Sequence, residues 1–165
     1  MVAAPESIVG ILNIRPIEPA DIEPVAKLLS ELASEFIVAE FETRAQERFL
    51  TENNAEAIRG FLRNQFRYHV AEIDRELVGF VGVRENKHLY HLFVAKPLQR
   101  RGIGRALWEF AKKDCEALGH RGAFTVNSSN HAVPIYERWA FRRDGEARTS
   151  NGITFNPMKL ESTDG

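Results

Sequence analysis

Apolar residues along this chain change their spacing several times, and each change marks a new element. Residues 11–17 alternate in the manner of a strand and stop near Pro16 and Pro19. Ile22, Val25, Ala26, Leu29, Leu32, Ala33 and Phe36 then recur at helical spacing and predict one apolar helix face. After a mixed stretch, residues 43–62 again read as helical, with Asn53-Asn54 as a break within them. Residues 66–71 and 77–83 read as an antiparallel pair turning at Asp74-Arg75, and 89–94 as the next strand.

The second half is more sharply patterned. Ile103, Ala106, Leu107, Phe110, Ala111, Cys115 and Leu118 predict a long amphipathic helix, which Gly119 is suited to stop. Residues 123–126 read as a strand and 132–140 as a short helix. Residues 141–148 and 153–160 read as a final pair, with Asn151-Gly152 as the turn between them. The expected fold class is therefore α/β, a mixed sheet of about seven strands with four or more helices. Only the strand–helix–strand unit over residues 89–126 demands parallel pairing. Without repeats or linkers, residues 1–165 read as a single domain with its core at about 11–160.

Composition narrows the function without naming it. At 165 residues, 44% hydrophobic and 27% charged, the chain can bury a substantial core. A net charge of −1 gives no general attraction to nucleic acid or an anionic membrane. No apolar run approaches the roughly 20 residues a spanning helix needs, and the first residues lack a signal-like pattern. The one cysteine, Cys115, falls on the apolar stripe of its helix and suits core packing in a reducing cytoplasm.

Against that neutral background, residues 96–105 stand out. Lys96, Arg100, Arg101 and Arg105 are basic, and no acid lies between Ala95 and Trp108. Gln99-Arg100-Arg101-Gly102-Ile103-Gly104 follows a strand and opens a helix. A helix start presents unpaired N–H groups and partial positive charge, and glycine lets an anion approach the backbone. The expectation is a phosphate cradle.

In this setting the string Q-x-x-G-x-G resembles the signature of the GCN5-related N-acetyltransferase (GNAT) superfamily, whose motif is R/Q-x-x-G-x-G/A. A second shared feature is a helix of the form A-x-x-x-Y-E-x-x-G-F, met here by Ala132, Tyr136, Glu137, Ala140 and Phe141. The resemblance implies acetyl-CoA as acyl-donor co-substrate, with no metal. It places the pyrophosphate on the backbone of Gln99, Arg100, Arg101, Gly102, Ile103 and Gly104, with Arg105 beside it. Leu92, Phe93 and Val94 would splay from the strand at 123–127 and pair with the pantetheine arm. Tyr136 would be the general acid. Two positions depart from the family pattern. Ser129 stands where asparagine is frequent, so Ser129 or Asn127 is expected to contact the pantetheine or cap the helix. Ala140 replaces a glycine, at a penalty of about 1 kcal/mol if the turn is left-handed.

Acetyl transfer to an amine needs a neutral amine, a donor for the developing oxyanion and a proton for the leaving thiolate. A phenol with a pKa of about 10 can supply that proton at neutral pH. His88 lies eleven residues before Gln99, where histone acetyltransferases of the superfamily carry a catalytic glutamate, and is the candidate base, with a water chain to solvent as the alternative. Simple alternation puts His88 and Tyr90 on one face and His91 on the other, unless a bulge changes the phase. Glu35, Glu40 and Glu42, beside Phe36, Ile37 and Phe41, suit a cationic amine with an apolar body.

These features predict an N-acetyltransferase acting on a small-molecule or peptide amine, cytoplasmic, with no nucleic-acid or membrane partner. The alternative is an acyl-CoA-binding regulatory module without turnover. Nicotinamide dinucleotide binding is disfavoured because the third glycine of G-x-G-x-x-G would fall at Leu107. The histidines show no metal-ligand spacing. A homodimer is possible through a sheet edge, with residues 153–160 as the candidate.

Overall fold

The computed structural model describes residues 10–36, 43–150 and 152–162. In chain order the elements are β1 (Leu12–Pro16), α1 (Ile22–Phe36), α2 (Thr43–Glu52), α3 (Ala55–Arg63), β2 (Phe66–Ile73), β3 (Glu76–Arg84) and β4 (His88–Val94). Then come α4 (Ile103–Ala117), β5 (Phe124–Ser128), α5 (Val133–Arg138), β6 (Arg142–Arg143), β7 (Arg148–Ser150) and β8 (Ile153–Leu160). The sheet order is β1-β2-β3-β4-β5-β8-β6, with β7 also on β8. Among these pairings β4 with β5 is parallel and the others are antiparallel.

Two apolar cores lie against this sheet. One gathers Val81, Val83 and Leu89 with Leu107, Trp108, Ala111 and Cys115 of α4 and Tyr136 of α5. The other gathers Tyr68, Val70 and Phe80 with Val25, Leu29 and Ala33 of α1 and Ile58 of α3. Trp108 is 1% exposed, and truncating a buried side chain of this size typically removes 3–5 kcal/mol. Cys115 is packed in the first core, where burial pushes its thiol up to about 11.

The helix break at Asn53-Asn54 is real and has a mechanism. The Asn54 side chain accepts from the N–H of Ala57 and caps α3. At Asp74-Arg75 both residues are left-handed, with φ of 51° and 68°, as a tight two-residue hairpin turn requires. Ahead of α1, Arg15 grips Asp21 at 2.7 Å and Glu72 at 3.2 Å, tying β1 and β2 to the turn that launches the helix.

Two expectations need correction. The strand expected over residues 141–148 divides into β6 and β7, separated around Gly145, whose φ is 107°. Strand β8 is no outer edge, because β5 flanks it on one side and β6 and β7 on the other.

Candidate active site

The parallel pairing of β4 with β5 covers only His88↔Thr125 and Leu89↔Val126. Beyond Leu89 the two strands part, while β4 continues to Val94 and β5 to Ser128. Residues His91 to Val94 therefore keep β3 on one side and a gap on the other. At the point of parting the β3 register jumps from Gly82↔His91 to Val83↔Leu89, which makes Tyr90 the extra residue of a bulge. The bulge changes the phase of the strand. Tyr90 and His91 both lie near the Phe61 ring of α3, whereas Leu89 belongs to the α4 core.

At the far end of β4, the Gln99 amide donates to the carbonyl of Val94 at 3.0 Å and ties the loop to the strand. Arg100 has φ 64° and Gly102 φ 85°, so the backbone turns twice through the left-handed region before α4 begins. A Cβ on Gly102 would meet nothing within 4 Å; its φ, and not space, demands glycine. The first bond of α4 runs from the N–H of Ala106 to the carbonyl of Gly102. The N–H groups of Ile103, Gly104 and Arg105 thus have no partner within the helix. Arg100, Arg101 and Arg105 are exposed around these amides. Lys96, by contrast, is paired with Glu35 at the end of α1.

Tyr136 joins this end of the site through Trp139. Its ring meets Trp139 edge-on at 5.6 Å, and Trp139 lies 3.7 Å from where a Gly104 Cβ would stand, as does Val94. The Tyr136 hydroxyl has no hydrogen-bond partner among the described residues. Burial pushes its acidity well below that of an ordinary phenol, so it stays protonated. The helix that carries it closes on Ala140, which is left-handed with φ 73°.

His88 is buried, with Nδ1 2.7 Å from the Thr125 hydroxyl. Burial, with Arg84 nearby, lowers it to about 4, so it is neutral at physiological pH. Ser129 Oγ accepts from the N–H of Ala132 at 3.3 Å in the turn before α5, and Asn127 is exposed on β5. Of the three expected acceptor-side acids, Glu35 holds Lys96, and Glu40 and Glu42 lie outside the described residues.

One feature of the site was not anticipated. His91 is 5% exposed, its Nδ1 lies 2.7 Å from the Tyr68 hydroxyl and its Nε2 2.8 Å from Asn53 Oδ1. The Asn53 amide in turn donates to the carbonyl of Phe49 at 2.8 Å. A glycine inside the β3 pattern was the available signal, since such a glycine marks a close approach. A Cβ at Gly82 would stand 2.5 Å from the Tyr68 ring.

The sheet thus opens between two parallel strands, with the basic start of α4 after the far end of β4 and Tyr136 near it through Trp139. The acetyltransferase (GNAT) domain model matches residues 31–162, most of the chain. The protein belongs to the GNAT acetyltransferase family. Among curated proteins none matches. Solved structures similar to it include a GCN5-related N-acetyltransferase from Rhodopseudomonas palustris, at 18% identity and TM-score 0.76, covering 90% of this chain and 94% of that one. The PaiA N-acetyltransferase from Thermoplasma acidophilum, solved with coenzyme A, is 15% identical at TM-score 0.76, covering 92% and 99%. A spermidine N-acetyltransferase from Vibrio cholerae is 16% identical at TM-score 0.64, covering 91% and 93%. Likeness at this level is a likeness of fold.

Proposed function

We propose that the protein is an acetyl-CoA-dependent N-acetyltransferase that passes the acetyl group directly to a primary amine. The observation that carries this reading is the parting of β4 from β5 immediately beyond Leu89, with the α4 amides at one end of β4 and Tyr136 beside them. A buried chain of amides needs backbone partners, and the open side of β4 offers them. The coenzyme A in the complex of the Thermoplasma protein supports the same choice of donor.

When bound, the donor supplies an activated acetyl group on sulfur. The amides of Ile103, Gly104 and Arg105 hold its pyrophosphate, with Arg100, Arg101 and Arg105 adding charge. The open edge of Leu92, Phe93 and Val94 orients the arm, and Asn127 and Ser129 rim it on the β5 side. A backbone N–H near Phe93 or Val94 stabilises negative charge on the carbonyl oxygen. Tyr136 gives its proton to the leaving thiolate. His88, with one nitrogen on Thr125, is the candidate to take the proton of the amine. With Glu35 paired to Lys96, Glu40 and Glu42 are left to attract a cationic acceptor, in keeping with the spermidine named for the Vibrio protein.

The test is release of free thiol from acetyl-CoA against a panel of polyamines, aminoglycosides and peptide amines. Turnover with at least one amine is expected. Tight binding of acetyl-CoA without turnover on any member would make the protein a regulatory acyl-CoA sensor instead.

A further inference from the structure

The buried chain Phe49–Asn53–His91–Tyr68 does no chemistry in the reading above, yet it is attached to the strand on which that reading depends. Its direction follows from donor and acceptor rules alone. The Phe49 carbonyl can only accept, so the NH2 of Asn53 faces it and Asn53 Oδ1 faces His91. Nε2 of His91 must then carry the ring proton, which leaves Nδ1 bare to accept from the Tyr68 hydroxyl. Each polar group in the chain has a partner, and burial keeps the ring neutral by lowering it to about 3. The ring also sits among Phe61, Tyr68, Phe80, Tyr90 and Phe93, with centroids 4.5–6.2 Å away.

His91 directly follows the bulged Tyr90, at the start of the open segment of β4. A bulge holds its place only if something specifies where the extra residue sits. Losing it, so that Tyr90 paired with Gly82, would move every later residue of β4 by one position and exchange the backbone groups facing β3 with those facing the gap. We infer that His91 is a positioning residue: anchored at Asn53 and Tyr68, it holds the bulge at Tyr90 and so the register of β4, which turns the backbone of Leu92 and Val94 to the gap and that of Phe93 to β3. Asn53 sits at the α2–α3 junction, so the lock also joins the helices on the amine side to the donor strand. This rests on the function proposed above, but not on any role for Tyr136 or His88.

The decisive variants are Tyr68→Phe and Asn53→Ala, each removing one anchor while leaving the pyrophosphate loop intact. With an acceptor found in the amine panel, each is expected to lower kcat by about tenfold, with the Kd for CoA by calorimetry changed less than twofold. Because both act through one ring, the double variant should fall little below the weaker single variant. Tyr68→Trp, which cannot donate from the same place, should not restore kcat. Unchanged kcat in both single variants, measured well below their melting temperatures, overturns the proposal even if both melt earlier. In wild-type protein, long-range proton–nitrogen NMR should find His91 as the Nε2–H tautomer, untitrated between pH 5 and 8; the other tautomer, or a titration, overturns it too. If the wild type acetylates no amine, the enzyme reading fails alone. The lock is then read from the amide shifts of Leu92 and Val94 on CoA binding, which Tyr68→Phe must alter and whose constancy refutes it.

Discussion

The N–H of Phe141 donates to the carbonyl of Tyr136 at 3.0 Å, closing α5 around an alanine in the left-handed region. Glycine holds that conformation without strain, whereas alanine is penalised by about 1 kcal/mol. Ala140→Gly should therefore stabilise the fold by up to about 1 kcal/mol, partly offset by a looser unfolded chain. Denaturant titration checks it; a lower midpoint for the variant would mean the alanine methyl packs usefully.

Removing the Tyr136 hydroxyl separates packing from chemistry. Because that oxygen has no hydrogen-bond partner among the described residues, Tyr136→Phe should leave the melting temperature almost unchanged. Loss of a general acid should nonetheless lower kcat by about 100-fold, with donor affinity retained. A variant with full kcat would make Tyr136 a packing residue.

At the loop, Gly102→Ala should weaken CoA binding by about tenfold, since φ of 85° asks roughly 1–2 kcal/mol of an alanine. No neighbour lies within 4 Å of the added methyl, so the loss of stability should not exceed that strain, and a shift of the loop that relieves it is what the Kd measured by calorimetry reads.

Acid should weaken the fold through its buried histidines. In the native state His88 sits near 4 and His91 near 3, both below an unfolded value of about 6.5. As pH falls the unfolded chain takes up protons first, so stability is complete above about pH 6.5 and declines toward those native values. At pH 5 each should have removed about 2 kcal/mol, observable as denaturation midpoints falling with pH and as proton uptake on unfolding. The same values bear on catalysis. If His88 takes the amine's proton, kcat/KM should lose its His88-dependent limb only below about pH 5. Any limb above neutrality should follow the pKa of the amine and persist in His88→Gln.

Much of this was legible in the chain because its signals are local. The helix stripes over 22–36 and 103–118, the Asn53-Asn54 break and the loop at 99–104 each combine periodicity with a capping or turn residue. The GNAT resemblance supplied the opening between β4 and β5, which no short window of sequence encodes. The Tyr90 bulge and the His91 network escaped because they depend on contacts across 23 and 38 residues. The split of β6 from β7 turns on the φ of 107° at Gly145, which the residue pattern over 141–148 does not signal. Of the acids expected to meet the acceptor, Glu35 holds Lys96, a pairing 61 residues apart that composition cannot reveal.

The parting of β4 from β5 also bears on how the protein behaves in concentrated solution. Strand edges left bare invite other chains to pair with them, and proteins ordinarily blunt them with charge, proline or cover. Here two such edges lie inside the sheet, where Leu92, Phe93 and Val94 offer neither charge nor proline. Any ligand lying along β4 covers them as well. Self-association on storage should therefore fall when CoA is present, making the donor a chaperone-like cover for its own site.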